Sequence, residues 1–314
     1  MKICFTMKPE NTAFGGGNQF ALNLIEHLKN KGIEVVFTLE KNIDIIFIMD
    51  PRILKYNKID IKEVLEYKLK HKNIKLIHRI NDCDAPRDGE LVIDNLIKYY
   101  LMIVDKPVFV SKWTKNYFKK KGDKNPNGIV INSGCNHNYF YPVKNKIFNK
   151  ENVKIVTHHW SNNWNKGFEY YQKLDKYLES NPKLEFTFIG RNFPPEYQPK
   201  NIKVIGPFHG LALGNELRKH DIYITASKFE NCPMHVIEGL SCGLPILYHE
   251  NLGGGVEICE KNGGEVYKNF DGLINKLNLI INNYENYTKK INYEKLNAEF
   301  CNKRYYEEII KLLG

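Results

Sequence analysis

The chain has 314 residues, 42% hydrophobic and 26% charged, the composition of an ordinary globular protein long enough for two cores. Its net charge of +10 lies wholly in the first half: residues 1–150 carry 26 Lys and Arg against 16 Asp and Glu, whereas 151–314 carry 20 of each. That imbalance points to an anionic surface or acceptor meeting the first half, and it argues against nucleic acid, because the lysines are dispersed over amphipathic helices and no nucleic-acid motif is present. No apolar run approaches a membrane span, and the first residues read directly as a strand. The seven scattered cysteines lack metal-ligand spacing and read as free thiols. We therefore expect a cytoplasmic protein without a signal peptide.

In chain order, short apolar runs predict strands at 2–7, 33–39, 44–49, 74–80, 107–111 and 128–132. Gly15, Gly16 and Gly17 follow the first strand and open a helix with Phe20, Ala21, Leu24, Ile25 and Leu28 on one face. Glycines there let backbone amides approach an oxygen-rich ligand, and a plain flexible turn is the alternative. His78 falls at the end of the fourth strand, either facing a ligand or packed at the sheet edge. Asp82 and Asp84 invite a metal-site reading, which we set aside because two short carboxylates alone seldom hold a metal. Asp84 and Arg87 are candidates for acceptor hydroxyls.

A polar segment at 136–152 reads as a linker. Beyond it the pattern repeats, with strands at 153–158, 184–190, 202–206, 221–227, 245–249 and 265–267 and helices at 168–179, 211–219, 233–242 and 271–282. Alternating strands and helices predict two doubly wound α/β domains facing a cleft, at 1–142 and 143–290. Three helical patterns follow residue 283, and the segment 291–314 is expected to return to the first domain. Lys166 stands before Gly167 at the mouth of a helix, where an ammonium suits a diphosphate, although a solvated surface lysine is the alternative. Glu230 precedes the next-to-last of these helices and Glu238 lies on it, off the apolar stripe of Val236, Ile237 and Leu240. Pro233 suits the first turn and Gly243 the exit. Two carboxylates beside a helix N-terminus make a hydroxyl-binding pair next to an anion site.

The segment 227–247, with Lys166-Gly167, resembles the Glu-x7-Glu signature of retaining glycosyltransferase family 4, and the resemblance runs over essentially the whole chain. It implies a GT-B fold and metal-independent, cofactor-free transfer of a sugar from a UDP- or GDP-linked donor, with retention, to a glycan, lipid-linked or other hydroxyl acceptor. It would put Glu230 on sugar hydroxyls, Glu238 on the ribose, and Lys166 with the amides of Gly16 and Gly17 on the departing diphosphate. His78 would sit beside the reacting carbon, Arg191 near the nucleotide base, and Asn231 and Met234 among the donor-binding residues. The family's arginine a few residues before the lysine is missing, and His158 and His159 stand there, with His159 expected as the substitute. Peripheral contact with an anionic membrane is a further expectation. The rival reading is a catalytically inactive glycosyltransferase-like subunit that binds an anionic polymer or surface.

Overall fold

The structure, a computed structural model, describes residues 1–10, 15–55, 57–86, 91–159, 161–191, 193–250 and 252–314. The chain divides into two compact units, Met1–Gly134 with Ala298–Gly314, and Cys135–Asn297. Each is a six-stranded, wholly parallel sheet with helices on both faces, as the alternation of apolar runs and helical periods requires.

Unit 1 runs β1 (Lys2–Phe5), α1 (Gly15–Asn30), β2 (Glu34–Val36), β3 (Ile45–Ile48), α2 (Ile61–Lys70), β4 (Lys75–Ile80), α3 (Val92–Ile103), β5 (Lys106–Phe109), α4 (Lys112–Lys120) and β6 (Ile129–Val130). Its strand order is β2-β1-β3-β4-β5-β6. Phe20, Ala21, Leu24, Ile25 and Leu28 of α1 enter one core with Ile3, Phe5, Ile45 and Phe47. The other face holds Val64 and Tyr67 of α2 and Tyr100 of α3 against Cys4, Ile46 and Leu76.

Unit 2 runs β7 (Val153–His159), a 3-10 turn at Trp164–Lys166, α5 (Phe168–Leu178), β8 (Leu184–Gly190), β9 (Ile202–Ile205), α6 (Gly210–Leu217) and β10 (Ile222–Thr225). It continues with β11 (Phe229–Glu230), α7 (Met234–Ser241), β12 (Ile246–His249), β13 (Leu252–Gly253), α8 (Gly255–Lys261), β14 (Gly264–Tyr267), α9 (Phe270–Asn282), α10 (Tyr284–Thr288) and α11 (Tyr293–Leu296). The strand order is β14-β12-β10-β7-β8-β9, the dinucleotide-binding arrangement in which the order reverses between β7 and β10.

The division falls at 134/135 and 297/298, where the sequence suggested 142 and 290. Side-chain contacts explain the shift. Phe140, Ile291 and Leu296 are buried in the core around α7, the amide of Cys135 donates to the carbonyl of Leu296 at 2.9 Å, and Arg218 donates to the carbonyl of Tyr139 at 2.7 Å. The last helix, α12 (Ala298–Leu313), belongs to unit 1. There Tyr305 packs edge-on to Phe20 of α1, with ring centres 5.0 Å apart.

Candidate active site

In a doubly wound sheet, ligands bind beyond the carboxyl ends of the strands where the order reverses. In unit 2 those ends are His158-His159 of β7 and Thr225 of β10, and two loops leave from them side by side. The loops touch backbone to backbone. Gly167 has φ +77°, and a Cβ there would lie 2.0 Å from the carbonyl oxygen of Ala226, so no other residue fits. The amide of Lys228 also donates to the carbonyl of Asn165 at 2.8 Å.

This contact brings Lys166 to Glu230. Lys166 Nζ lies 2.7 Å from Glu230 Oε1, and Ser227 Oγ donates to the same oxygen at 2.8 Å. The backbone of Glu230 is held from the far side: β11 pairs with β13, Glu230 beside Gly253, and the amide of Gly254 donates to the carbonyl of Glu230 at 2.8 Å. Gly253, at φ +117°, would place a Cβ 2.1 Å from that carbonyl, so the glycine turn seats the carboxylate. Burial opposes a charge on Glu230, but His235, the Lys166 ammonium and the hydrogen bonds from Lys166 and Ser227 outweigh it and hold the carboxyl below its ordinary range. The result is a charged, partly buried pair: one ammonium, one carboxylate.

The second carboxylate is oriented by a histidine. Glu238 Oε2 lies 2.8 Å from His158 Nε2, and His158 Nδ1 lies 3.0 Å from the Tyr223 hydroxyl. That hydroxyl also accepts from the His158 amide at 3.1 Å. An ionised carboxylate only accepts, so Nε2 donates to Glu238, and in the neutral ring Nδ1 accepts from Tyr223. Every polar atom of the chain Tyr223–His158–Glu238 is thereby satisfied except Glu238 Oε1, which points to no partner among the described residues. Beside both carboxylates, α7 begins at Met234 directly after Pro233 with no side-chain cap, leaving the first amides of the helix open to an anion.

The structure thus gathers Lys166, Glu230, Asn231, Met234 and Glu238 at one end of the unit 2 sheet. Arg191 stands just past β8, whose Gly190 pairs with His159 across the sheet, and is exposed with no ion pair among the described residues. Gly16 and Gly17 form the first turn of α1 in unit 1, and the space around the Cα of Gly17 is open.

Three other expected residues are buried or engaged within the chain. His159 does not face the ligand end as a cation. It is buried, its Nε2 lies 2.7 Å from the Tyr171 hydroxyl, and burial, followed by His235, Lys166 and His158, drives its pKa well below the usual value. His78 is not at an open strand end. The strand continues to Ile80, and the His78 ring is wholly buried 5.0 Å from Tyr100, kept neutral with a pKa lowered to about 3 by burial. The Asp84 carboxylate is committed to α3, accepting from the Asp94 amide at 2.8 Å while Asp94 accepts from the Asp84 amide at 2.9 Å. Asp82 meets Arg52 at 3.2 Å. Arg87 lies outside the described residues, and among the described residues no group of His, Cys, Asp and Glu is arranged to hold a metal ion.

Tyr223 and Ser227 are candidates that sequence reasoning passed over, and His158 was noted there but set behind His159. The signal for His158 was the strand period. Ile155 packs on the α5 side with Phe168 and Tyr171, whereas Val156 packs with Val236, Ile237 and Leu240 of α7. Alternation along β7 therefore sends His158 to α7 and its Glu238, and His159 to α5.

The family model described as glycosyl transferases group 1 matches residues 140–297, the stretch that carries Lys166, Glu230 and Glu238. Among solved structures the chain is similar to the sucrose-phosphate synthase of Thermosynechococcus elongatus, with a TM-score of 0.71 and 14% identity over 99% of this chain and 98% of that one. It is similar also to Anabaena HepE in complex with UDP, with a TM-score of 0.73 and 15% identity over 99% and 100%, and to a glycosyltransferase from Rickettsia africae, with a TM-score of 0.71 and 14% identity over 99% and 98%. At these identities the likeness speaks for the fold, that of GT-B glycosyltransferases. No curated protein matches the sequence.

Proposed function

The chain belongs to the glycosyl transferases of group 1, and on that premise we propose that it is a retaining, metal-independent enzyme of family 4 that moves a sugar from a UDP- or GDP-linked donor to a hydroxyl of a glycan or lipid-linked acceptor. The observation that carries this reading is the Lys166–Glu230 pair at the strand-order reversal, 2.7 Å apart and flanked by the uncapped start of α7. A nucleoside diphosphate sugar matches it group by group. Its phosphates take the Lys166 ammonium and the α7 amides, its sugar hydroxyls take Glu230, and its ribose takes the open Oε1 of Glu238. Lys166 and Glu230 occupy each other in the free chain, so donor binding replaces one ion pair by two charge-assisted contacts.

In the transfer, the bond between the sugar's anomeric carbon and the phosphate oxygen breaks, and the acceptor oxygen attacks from the same face. The acceptor's proton passes to the departing phosphate oxygen. Negative charge grows on that phosphate, where a fixed ammonium and aligned amides act without reorganising. His158 takes no proton in this scheme; it holds Glu238.

The experiment is turnover of a panel of UDP- and GDP-sugars, followed as release of the nucleoside diphosphate, for the parent chain and Glu230→Gln. Turnover in the parent that collapses in the variant supports the assignment. The rival, an inactive subunit, predicts no release from any donor.

A further inference from the structure

A helix laid on a sheet buries one face and turns the other to water, and the second face is ordinarily polar. In unit 1, α3 breaks that rule. It buries Ile93, Asp94, Ile97, Tyr100 and Leu101, and Ile103 packs against the same core, yet its exposed side carries Val92, Tyr99 and Met102 with Asn95, flanked by half-buried Leu96 and Lys98. Val92 is 61% exposed, Tyr99 56% and Met102 74%, and Leu91 at the helix start is exposed as well.

A basic helix is tied to α3. α4 carries Lys112, Lys115, Lys119 and Lys120 and no acidic residue. Its last turn is fixed beside α3: Tyr117 donates to Asp94 at 2.6 Å, Lys121 meets Asp94 at 2.7 Å, and Asn125 donates to the carbonyl of Val104 at 3.0 Å. Lys119 and Lys120 on that turn are exposed and make no ion pair among the described residues.

We propose that the exposed face of α3, together with the lysines of α4, is a docking surface for an anionic lipid bilayer. A bilayer supplies both halves of the complement at once, acyl chains for Val92, Tyr99 and Met102 and anionic headgroups for Lys119 and Lys120. Tyr99 suits that boundary, with its ring in the apolar layer and its hydroxyl in the headgroups, and lysine stems reach along apolar surface while the ammonium stays in the polar layer. A second copy of the chain is a poorer occupant, because a self-complementary contact through this face sets each basic helix near its own image. No described helix is long and apolar enough to cross a membrane, so the contact is in-plane and reversible.

The test is sedimentation of the full chain with sucrose-loaded vesicles of phosphatidylglycerol and phosphatidylcholine, against vesicles of phosphatidylcholine alone. The parent should bind the anionic vesicles at least about tenfold more tightly than the neutral ones, and lose most of that binding between low and physiological salt. Tyr99→Ser with Met102→Ser, and separately Lys119→Glu with Lys120→Glu, should each weaken binding about tenfold or more while leaving the melting temperature unchanged, since all four side chains are exposed. Failure of the parent to bind, or undiminished binding by either double variant, would overturn the proposal. A concentration-dependent dimer that Tyr99→Ser with Met102→Ser abolishes, seen by analytical ultracentrifugation without vesicles, would assign the face to a second copy instead.

Discussion

Lys166, Glu230 and His158 each make a separable prediction. Glu230→Gln keeps the shape but removes the charge that pairs with Lys166 at 2.7 Å and that we propose grips sugar hydroxyls. Transfer should fall by roughly 2–4 kcal/mol in the transition state, and wild-type turnover in this variant would sink the assignment. Lys166→Ala should weaken donor binding and turnover together by about 1.5–3 kcal/mol, because the phosphate is charged in both states; titration calorimetry with the free nucleoside diphosphate reads the binding part. His158 acts at one remove. His158→Ala should raise the donor KM while changing kcat little, and 2′-deoxy and ribo nucleotides should then bind alike, since Glu238 is no longer held for the ribose. His158→Gln, which still offers a donor, should recover part of the preference. If Glu238→Ala erases the preference and His158→Ala does not, the positioning role is wrong while the ribose role stands. Of these groups, both glutamates and Lys166 were legible in the chain, because spacing around a helix start is local information. His158 was visible next to His159, but choosing between them needed to know which sheet face α7 covers, and that is a tertiary fact.

At the scale of elements, parallel strands and their helices were readable because buried strands are near-continuous apolar runs, as in Ile45–Ile48, and helices carry a 3.6 period, as in α1. Boundaries were harder. The polar stretch after 136 looks like a linker, yet Phe140 and the backbone of Cys135 and Tyr139 are tied to unit 2 by contacts with residues far along the chain. The short β11 and β13, which seat Glu230, escape any periodicity because each is two residues long. Their importance shows in the glycines. Gly167→Ala should destabilise unit 2 by at least about 1–3 kcal/mol from its left-handed backbone alone, and the Cβ placed 2.0 Å from Ala226 O must also push the two loops apart. Urea denaturation should register the loss of stability, and donor affinity should fall with it as Lys166 moves from Glu230. A variant with parental stability and affinity would show that the loops do not depend on this contact.

For the molecule as a whole, buried neutral histidines set an acid limit. His78 and His235 both have pKa values lowered to about 3 by burial, while in the unfolded chain they titrate near 6.5. Below that value the unfolded chain binds protons that the folded one refuses, so acid favours unfolding. Glu230, Asp94 and Asp175, all held below the usual carboxylate range, add to the same loss at lower pH. The urea midpoint should therefore decline steadily as pH falls from about 6.5 toward 3, and a midpoint flat between pH 7 and 5 would refute the neutral burial of these rings. Charge was the whole-molecule property most legible in the sequence, a basic first half and a neutral second, but composition could not show that the basic helix α4 is tied to a helix with an exposed apolar side. The central claim concerns the other unit: we propose that Lys166 and the start of α7 take the donor's diphosphate, and Glu230 its sugar hydroxyls, without a cation. Its most direct measurement is the rate of nucleoside diphosphate release from the preferred sugar donor in excess EDTA, parent beside Glu230→Gln. We expect EDTA to leave the parental rate unchanged and the variant to run about 30-fold slower or worse. A parental reaction that stops in EDTA and returns with Mn²⁺ or Mg²⁺, or a variant as fast as the parent, would contradict the account.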